Sequence, residues 1–281
     1  MVNLRDLTQR ILRRHIASNT GYLEAILLGY CSNETAGEHI SRYLFVAKIS
    51  HGIVLDCGAG SCYGSSILRR INTVEVVISV DIDEDLLRYG KLVYNADSLC
   101  ADAAYLPFRE MTFNSIVSIE TLEHIKDGRA LLNNIKYCLK GEGSLILSTP
   151  NKLYTSPFLR KPLNPYHKKE YYLGPLLNLL ESSGFQIRNI YGGKKMTSSE
   201  LLRSMLFSAV FFLRCEFSIK LPYKVYCWIL NLTSQNRREK VKLLDPVPEL
   251  FPHLTLKLNS NITPYQYFVI HANVRKKEYH D

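Results

Sequence analysis

The side chains that could do chemistry lie in three short clusters of the 281-residue chain. The first is a glycine-rich turn, Asp-Cys-Gly-Ala-Gly at 56–60, which follows an apolar run at 53–55. Glycines are needed where a backbone turns tightly and approaches a ligand closely. Asp81 ends the next apolar run, and an acid about 20 residues beyond such a turn accepts hydrogen bonds from ribose hydroxyls in nucleotide-binding α/β folds. We therefore predict that Asp81 binds a ribose, the alternative being that it caps the next helix.

The second cluster, Glu120, Glu123 and His124, follows a third apolar run at 116–119. Parallel sheets place ligands at the carboxyl ends of their strands, so these side chains are candidates for a reactive centre. An imidazole titrates near neutrality, which makes His124 a candidate general base. Glu120 is predicted to line the pocket. In the alternative interpretation His124 stands at a helix start and bonds to the backbone.

The third cluster, His167, Glu170 and Tyr171, follows the dipeptide Asn164-Pro165. Such dipeptides mark turns, so the plain interpretation is a turn that leads into a helix over 168–183, with the two lysines after His167 exposed to water. Residue spacing alone does not give this cluster a role on the substrate side.

Short apolar runs alternate with helical patterns between residues 37 and 191. Nearly continuous apolar runs predict strands that are buried on both faces. Their alternation with helices favours right-handed β-α-β units and a parallel sheet. The predicted strands are 53–55, 74–80, 116–119, 145–147, 185–191 and 266–274, and the predicted helices are 37–49, 65–71, 83–94, 129–139 and 168–183.

The same pattern divides the chain into three parts. Residues 1–36 hold a short basic amphipathic helix, and residues 37–192 with 264–277 form the α/β domain. Residues 193–263 fit no sheet pattern and are predicted to be a helical insertion. Within it, 201–232 mixes apolar and basic residues. This segment is either a packed helical subdomain or a lid that covers an acceptor or docks on a membrane surface.

The composition, 46% hydrophobic and 22% charged, is that of a globular protein rather than a disordered or fibrous one. A formal net charge of +9 permits nucleic acid, an anionic membrane or a phosphorylated substrate as partner. Nucleic acid is not supported by any RNA-binding motif. The seven cysteines form no C-x-x-C pair, so we predict no metal site and no disulfide framework. With no secretory signal, reduced thiols in the cytoplasm are expected.

Five segments together resemble the motifs of class I S-adenosylmethionine-dependent methyltransferases. They are VLDCGAGSCYGS (54–65), SVDIDEDLL (79–87), CADAAYLPF (100–108), NSIVSIETLEHI (114–125) and GSLILSTPN (143–151). HISRYLFV (39–46) and NPYHKKEY (164–171) are similar to a subgroup that methylates small molecules, quinone precursors and sugars or glycans. The resemblance implies a Rossmann-like three-layer sandwich. Its seven-stranded sheet would be mostly parallel, with an antiparallel last strand that pairs with 185–191.

The resemblance also implies S-adenosylmethionine as cofactor and a role for each matching residue. Asp56 would hold the turn and bind the amino group, directly or through water. Asp81 would bind the ribose, Ile82 would pack on the adenine, and Asp102 would read the adenine edge. The residues implied to bind the cofactor are Asp56, Gly58, Ala59, Gly60, Asp81, Ile82, Asp102, Ala103 and Ile119.

On the acceptor side the resemblance places both His124 and His167 near the donor methyl, so that both are candidate bases, with Glu120 in the pocket wall. Cys62 departs from the family, which usually has a glycine there, and a side chain at this position could crowd the methionine end of the cofactor. The implied activity is transfer of a methyl group to an oxygen of a small molecule, sugar or lipid-linked glycan.

Three alternatives remain beside this activity. They are an RNA or protein methyltransferase, a catalytically silent S-adenosylmethionine-binding protein, and a nicotinamide-dependent oxidoreductase that shares the glycine turn. The acid before the first glycine argues against the last of these. Methylation of a base amino group is disfavoured too, because Glu-Thr-Leu-Glu at 120–123 stands where that chemistry usually has Asp or Asn followed by Pro-Pro.

Overall fold

The computed structural model describes residues 3–16, 26–27, 30–31, 33–195, 198–217 and 265–275. Seven strands within these ranges form one sheet: β1 Gly52–Cys57, β2 Val74–Asp81, β3 Ser98–Cys100, β4 Phe113–Ile119, β5 Leu139–Pro150, β6 Phe185–Lys195 and β7 Tyr265–Val274. Their order across the sheet is β3-β2-β1-β4-β5-β7-β6.

Strands β1 to β5 run parallel to one another, whereas β7 runs antiparallel to both β5 and β6. Phe185 pairs with Val274 at one end of the β6–β7 ladder, and Lys195 pairs with Tyr265 at the other. The predicted α/β sheet with an antiparallel last strand is therefore confirmed. Since β7 inserts between β5 and β6, the apolar sequence QYFVIHANV is buried in the sheet rather than left as a tail.

Eight α-helices surround the sheet in the described residues: α1 Leu4–Ile16, α2 Asn33–Ala47, α3 Tyr63–Leu68, α4 Glu84–Tyr94, α5 Gly128–Cys138, α6 Lys152–Thr155, α7 Leu173–Ser182 and α8 Ser198–Phe217. Leu55 of β1 packs in a cluster with residues of α5 and α7, whereas its neighbour Val54 packs with residues of α2 and α3. Consecutive strand residues point to opposite faces, so the predicted three layers follow from this alternation.

Helix α1 lies against α4 through a small apolar cluster that includes the buried Leu7 and Ile11. Arg10 and Arg14 of α1 form ion pairs with Asp85, and Arg14 also pairs with Asp83 at 2.8 Å. The basic helix predicted near the N-terminus is thus packed beside the loop that follows β2.

Several predicted boundaries differ from the observed ones, and strand β3 was not among the predicted strands. The helix predicted over 168–183 begins only at Leu173, because the amides of Lys168 and Lys169 donate to the Glu123 carbonyl across the loop instead of entering a helix. Strand β6 extends to Lys195, past the predicted domain boundary at 192. Helix α8 occupies the first part of the predicted insertion, and residues 218–264 lie outside the described residues. No helix among the described residues is long and apolar enough to span a bilayer.

Candidate active site

The glycine-rich turn after β1 needs glycine at two positions for different reasons. Gly58 has φ +82°, and a Cβ there would lie 2.1 Å from Thr121 Oγ1. Gly60 has φ +52°, and its Cβ would meet nothing within 4 Å. Gly58 therefore lets the turn pack against the residues after β4, and Gly60 leaves open space on the cavity side of the turn.

Asp81 at the end of β2 holds this turn in place. Its Oδ2 accepts a hydrogen bond from the Gly60 amide at 2.7 Å, and its Oδ1 accepts one from the Asp83 amide at 2.9 Å. Burial raises the pKa of Asp81, and the two amide donors oppose that shift. Asp83, not Asp81, caps α4, because its side chain accepts from the amides of Asp85 and Leu86. The helix-cap interpretation of Asp81 was therefore wrong.

Asp56 lies beneath the turn and is fully buried. Its Oδ1 accepts from the Tyr43 hydroxyl at 3.0 Å and its Oδ2 from the Ser65 hydroxyl at 2.6 Å. Burial raises its pKa to about 6, against the opposing effect of these two donors. Asp56 is not among the residues that line the cavity. Asp56 was predicted to hold the turn and to bind a cofactor amino group. The structure supports the first role and does not support a direct contact with the amino group.

A cavity of about 420 Å³ opens at the carboxyl ends of β1, β2 and β4. Acidic residues form the wall after β2, and the other end is formed by residues after β4. Of the sequence-predicted site residues, the cavity is lined by Gly58, Ala59, Gly60, Asp81, Ile82, Asp102, Ala103, Ile119, Glu120 and His124. An elongated ligand with ribose hydroxyls fits these carboxylate acceptors, since Gly60 leaves open space and the cavity extends from Asp81 to Glu120 and His124.

Cys62 does not crowd this cavity. Its side chain is buried in a small cluster with Ala59, Leu87 and Ala96, against Gly90 of α4. The backbone has φ +62° at Cys62, the left-handed conformation that usually favours glycine. The expected crowding of the methionine end was wrong, because this backbone conformation turns the thiol away from the cavity and towards α4.

Glu120, directly after β4, also has a left-handed backbone, with φ +53°. Its Oε1 lies 2.9 Å from Nη1 of Arg42 and accepts a hydrogen bond from Ser148 at 3.1 Å. The Arg42 guanidinium is buried and stacks 3.9 Å from the centroid of the Tyr267 ring. Burial alone would lower the pKa of Arg42, but the Glu120 carboxylate raises it. Glu120 is thus held in the cavity wall by an ion pair, in addition to the predicted lining role.

His124 and His167 meet at the end of the cavity that follows β4. Their ring centroids are 5.0 Å apart and nearly perpendicular. His124 Nδ1 lies 3.2 Å from the Tyr166 carbonyl, so the predicted backbone bond is present, and the ring also lines the cavity. His167 does not line the cavity itself, but its ring packs against the ring of His124, which does.

Glu170 orients His167. The distance between Glu170 Oε1 and His167 Nδ1 is 2.6 Å. Burial alone would raise the pKa of Glu170, but hydrogen bonds from His167, Ser156 and Thr155 leave it below its usual range. The carboxylate of Glu170 thus holds the Nδ1 side of the His167 ring and fixes its orientation beside His124.

Glu123 completes a group whose side chains could hold a metal ion. Its Oε2 accepts from Thr149 at 2.9 Å, and its buried Oε1 has no hydrogen-bond partner among the described residues. Burial, with Glu120 nearby, raises the pKa of Glu123 well above its usual value. One ligand-type atom from each of Glu123, His124 and His167 lies within 4.8 Å of the others. The cysteine spacing predicted no metal site. This group contains no cysteine and joins two segments that are distant in the sequence.

Comparison with known proteins agrees with this geometry. Residues 55–147 match the family described as Methyltransferase domain. A probable S-adenosylmethionine-dependent methyltransferase of Mycobacterium tuberculosis is 31% identical over 133 residues, 47% of this chain and 48% of that protein. A solved S-adenosylmethionine-dependent methyltransferase from Archaeoglobus fulgidus superposes with a TM-score of 0.52 at 17% identity, over 86% of this chain and 94% of its own.

Residues 55–147 thus match methyltransferase domains, and relatives of this chain are named probable S-adenosylmethionine-dependent methyltransferases. S-adenosylmethionine is the cofactor of this class. The chain spans about half the length of the mycobacterial relative that it matches. The human mitochondrial protein named arginine-hydroxylase NDUFAF5 is 30% identical over 114 residues, 40% of this chain and 33% of that protein. The domain type is therefore shared by proteins that are named for different reactions.

Several residues of the methyltransferase domain's site were not singled out from the sequence. In the sequence Arg42 and Tyr43 belong to the motif at 39–46, and in the structure Arg42 holds Glu120 while Tyr43 holds Asp56. His39, whose Nδ1 lies 3.0 Å from the Tyr63 hydroxyl, lines the cavity with Arg14. The spacing of His39, Arg42 and Tyr43 is the signal that could have found them, because residues three and four apart share one face of a helix.

Proposed function

We propose that this domain transfers the methyl group of S-adenosylmethionine to an oxygen of a small molecule, sugar or lipid-linked glycan. The observation that carries the proposal is the continuity of the cavity. It runs from the acidic wall at Asp81 and Asp102 past Gly60 to Glu120 and His124. A methyl donor held along that path would place its sulfonium near the residues that follow β4.

The cofactor contacts follow from the cavity walls. Asp81 would accept from the ribose hydroxyls, and Ile82, which is largely exposed at the cavity rim, would pack on the adenine. Asp102 and the Ala103 amide would read the adenine edge, with Ile119 beside the donor methyl. The space above Gly60 would take the methionine part. When bound, the cofactor supplies a methyl group that its positive charge has already activated.

The chain's own contribution to the reaction is alignment and proton removal. The acceptor oxygen would attack the methyl carbon as the sulfur–methyl bond breaks, and its hydroxyl proton would have to pass to a residue of the chain. In this proposal His124 takes the proton, and His167, oriented by Glu170, supports the charge that develops on the neighbouring ring.

A second candidate is a domain that binds the cofactor without transferring its methyl group. It is favoured by the relative that is named an arginine hydroxylase. Labelled S-adenosylmethionine, incubated with the protein and a fractionated cell extract, tests both candidates. Label in a small molecule or glycolipid fraction supports the first; label in RNA or protein favours those acceptors instead; binding without label transfer supports the second.

We also propose a cytoplasmic location, which is supported by free thiols at Cys31, Cys57, Cys62, Cys100 and Cys138. Contact with a membrane surface through residues 201–232 remains part of this proposal. Residues 218–232 of that segment lie outside the described residues.

A further inference from the structure

The loop between β5 and α7, residues 151–172, borders the histidine pair and is defined here as the acceptor loop. The amides of Lys168 and Lys169 donate to the Glu123 carbonyl at 2.7 and 3.1 Å. The Lys152 amide donates to the Tyr171 carbonyl at 3.0 Å. The first two bonds fix the backbone of Lys168 and Lys169 beside Glu123, the residue that precedes His124, and the third joins the two ends of the loop.

The acceptor loop is strongly and unevenly charged. It contains five cations, Lys152, Arg160, Lys161, Lys168 and Lys169, and a single acid, Glu170. Glu170 is buried and bonded to His167, Thr155 and Ser156, so its charge acts inside the loop. In the part of the chain that the structure describes, none of the five cations forms an ion pair with a carboxylate.

Two of these lysines are held over aromatic rings rather than by acids. Lys169 Nζ lies 5.0 Å from the centroid of the Tyr171 ring, and Lys152 Nζ lies 5.8 Å from that of Tyr172. A cation over an aromatic face keeps its charge and loses part of its conformational freedom. The lysines are therefore partly ordered while their charge stays available to a ligand.

The cavity wall after β2 has the opposite sign from the acceptor loop, whose Lys168 and Lys169 are exposed and lie outside the cavity lining. Asp81 and Asp102 line this wall, and Asp83 stands at its rim, where Arg14 pairs with it. An acidic wall suits a ligand with a sulfonium charge, whereas a basic loop beside His124 suits an anion. The acidic cavity wall and the exposed lysines beside His124 thus suit chemical groups of opposite charge.

We infer that the methyl acceptor carries a phosphate group, as a phosphate ester or a diphosphate, which the acceptor loop binds through Lys168 and Lys169. The inference rests on the proposed function for the identity of the ligand as acceptor, but the phosphate site itself does not depend on methyl transfer. Lysine ammonium groups bind phosphate as point charges, and exposed pairs of this kind weaken as salt rises.

The test uses the full chain and inorganic pyrophosphate as probe, with binding followed by calorimetry at low and high salt. The loop variant is Lys168→Glu with Lys169→Glu. The matched control is Lys48→Glu with Arg70→Glu, which makes the same charge change at two exposed cations outside the acceptor loop and the cavity lining. We expect wild type and control to bind within about threefold of each other, and the loop variant to bind at least about tenfold more weakly. Each factor of ten corresponds to about 1.4 kcal/mol.

Absence of pyrophosphate binding by the wild type, together with absence of vesicle binding in the next arm, would overturn the inference. Equal loss in both variants would overturn it as well, because the effect would then come from net charge alone. Thermal unfolding of each variant verifies that it is folded. A titration with S-adenosylmethionine in the same samples tests the proposed function separately, so failure of one is distinguishable from failure of the other.

A second arm distinguishes the source of the phosphate. Vesicles of phosphatidylcholine, and of phosphatidylcholine mixed with phosphatidylglycerol, are sedimented with each protein. Binding to the anionic vesicles that pyrophosphate displaces and the loop variant lacks assigns the phosphate to a lipid headgroup. Pyrophosphate binding without vesicle binding assigns it to a free phosphate ester.

Discussion

Arg42 Nη1 lies 2.9 Å from Glu120 Oε1, and this ion pair ties helix α2 to the residue that directly follows strand β4. Glu120 adopts a left-handed backbone, which for a residue other than glycine costs about 1–3 kcal/mol and must be offset by its surroundings. The buried guanidinium provides that offset from an element about 80 residues earlier in the chain. The cavity wall at the acceptor end therefore depends on packing between distant segments.

Replacing Arg42 by Met should destabilise the fold by about 2–4 kcal/mol, because Glu120 would lose its charge partner in a site from which water is largely excluded. The measurement is chemical denaturation of the two proteins. Lys48→Met serves as control, since Lys48 is exposed just after the same helix and should change stability by less than about 0.5 kcal/mol. A similar small effect for Arg42→Met would show that the ion pair contributes nothing to the fold.

Asp81→Ala should weaken binding of S-adenosylmethionine at least about tenfold. The substitution removes the ribose acceptor and also frees the Gly60 amide, and hydrogen bonds to a charged group contribute about 1.5–3 kcal/mol. Calorimetric titration measures the change. Asp97→Ala is the matched control, because Asp97 is exposed, lies outside the cavity lining and makes only a loose contact with Lys91 at 3.9 Å. An affinity unchanged by Asp81→Ala would rule out the ribose assignment.

The sheet and the glycine turn could be predicted because their signals are local. Buried parallel strands are short apolar runs, and the turn after β1 requires glycine at fixed spacing. The partners of Glu120 and Asp56 could not be predicted, because a sequence does not tell which side chain of α2 reaches which strand. His124 and His167 are 43 residues apart, and only the family resemblance brought them together before the structure did.

Cys62 shows the limit of position-by-position comparison. A family pattern with glycine at that position suggests that a side chain would fill the cavity. The structure places the thiol against Gly90 of α4 instead, where the missing side chain of that glycine makes room.

Asp56 should make stability depend on pH in a way opposite to that of most acids. Its pKa is about 6 in the folded protein against 3.8 for the free side chain, so the folded state binds more protons between these values. The free energy of unfolding therefore falls by about 3 kcal/mol in total as pH rises from about 4 to about 6, because the stabilising protonated form is lost. The free energy of unfolding of wild type and of Asp56→Asn, measured by denaturation at several pH values from about 4 to about 7, checks this.

The comparison isolates Asp56 because every other titrating group is common to both proteins. The stability difference, wild type minus Asp56→Asn, should fall steadily as pH rises, since the amide cannot ionise. A difference that stays constant across the range would mean that Asp56 keeps the same protonation in both states. A difference that grows with pH would mean that the hydroxyls of Tyr43 and Ser65 outweigh burial.

His124→Ala or His167→Ala should lower turnover at least about tenfold, since a positioned base contributes about 10²–10⁴-fold to such a transfer. Affinity for S-adenosylmethionine should stay within about threefold, because neither ring belongs to the acidic wall that would hold the cofactor's ribose and adenine. Loss of rate without loss of cofactor binding is the signature of lost chemistry. Single-turnover rates, measured with an acceptor identified from the labelled extract, provide the test.

His51→Ala is the control for the histidine variants, because His51 is exposed, directly precedes β1 and lies outside the cavity lining. Its rate should equal that of the wild type. The assays are repeated with a chelator, since Glu123, His124 and His167 could also hold a cation, and a rate that falls with chelator alone assigns proton removal to a metal-bound acceptor. Full activity of both His124→Ala and His167→Ala would leave alignment and the reactivity of the sulfonium as the whole mechanism, and the assignment of a base would then be withdrawn.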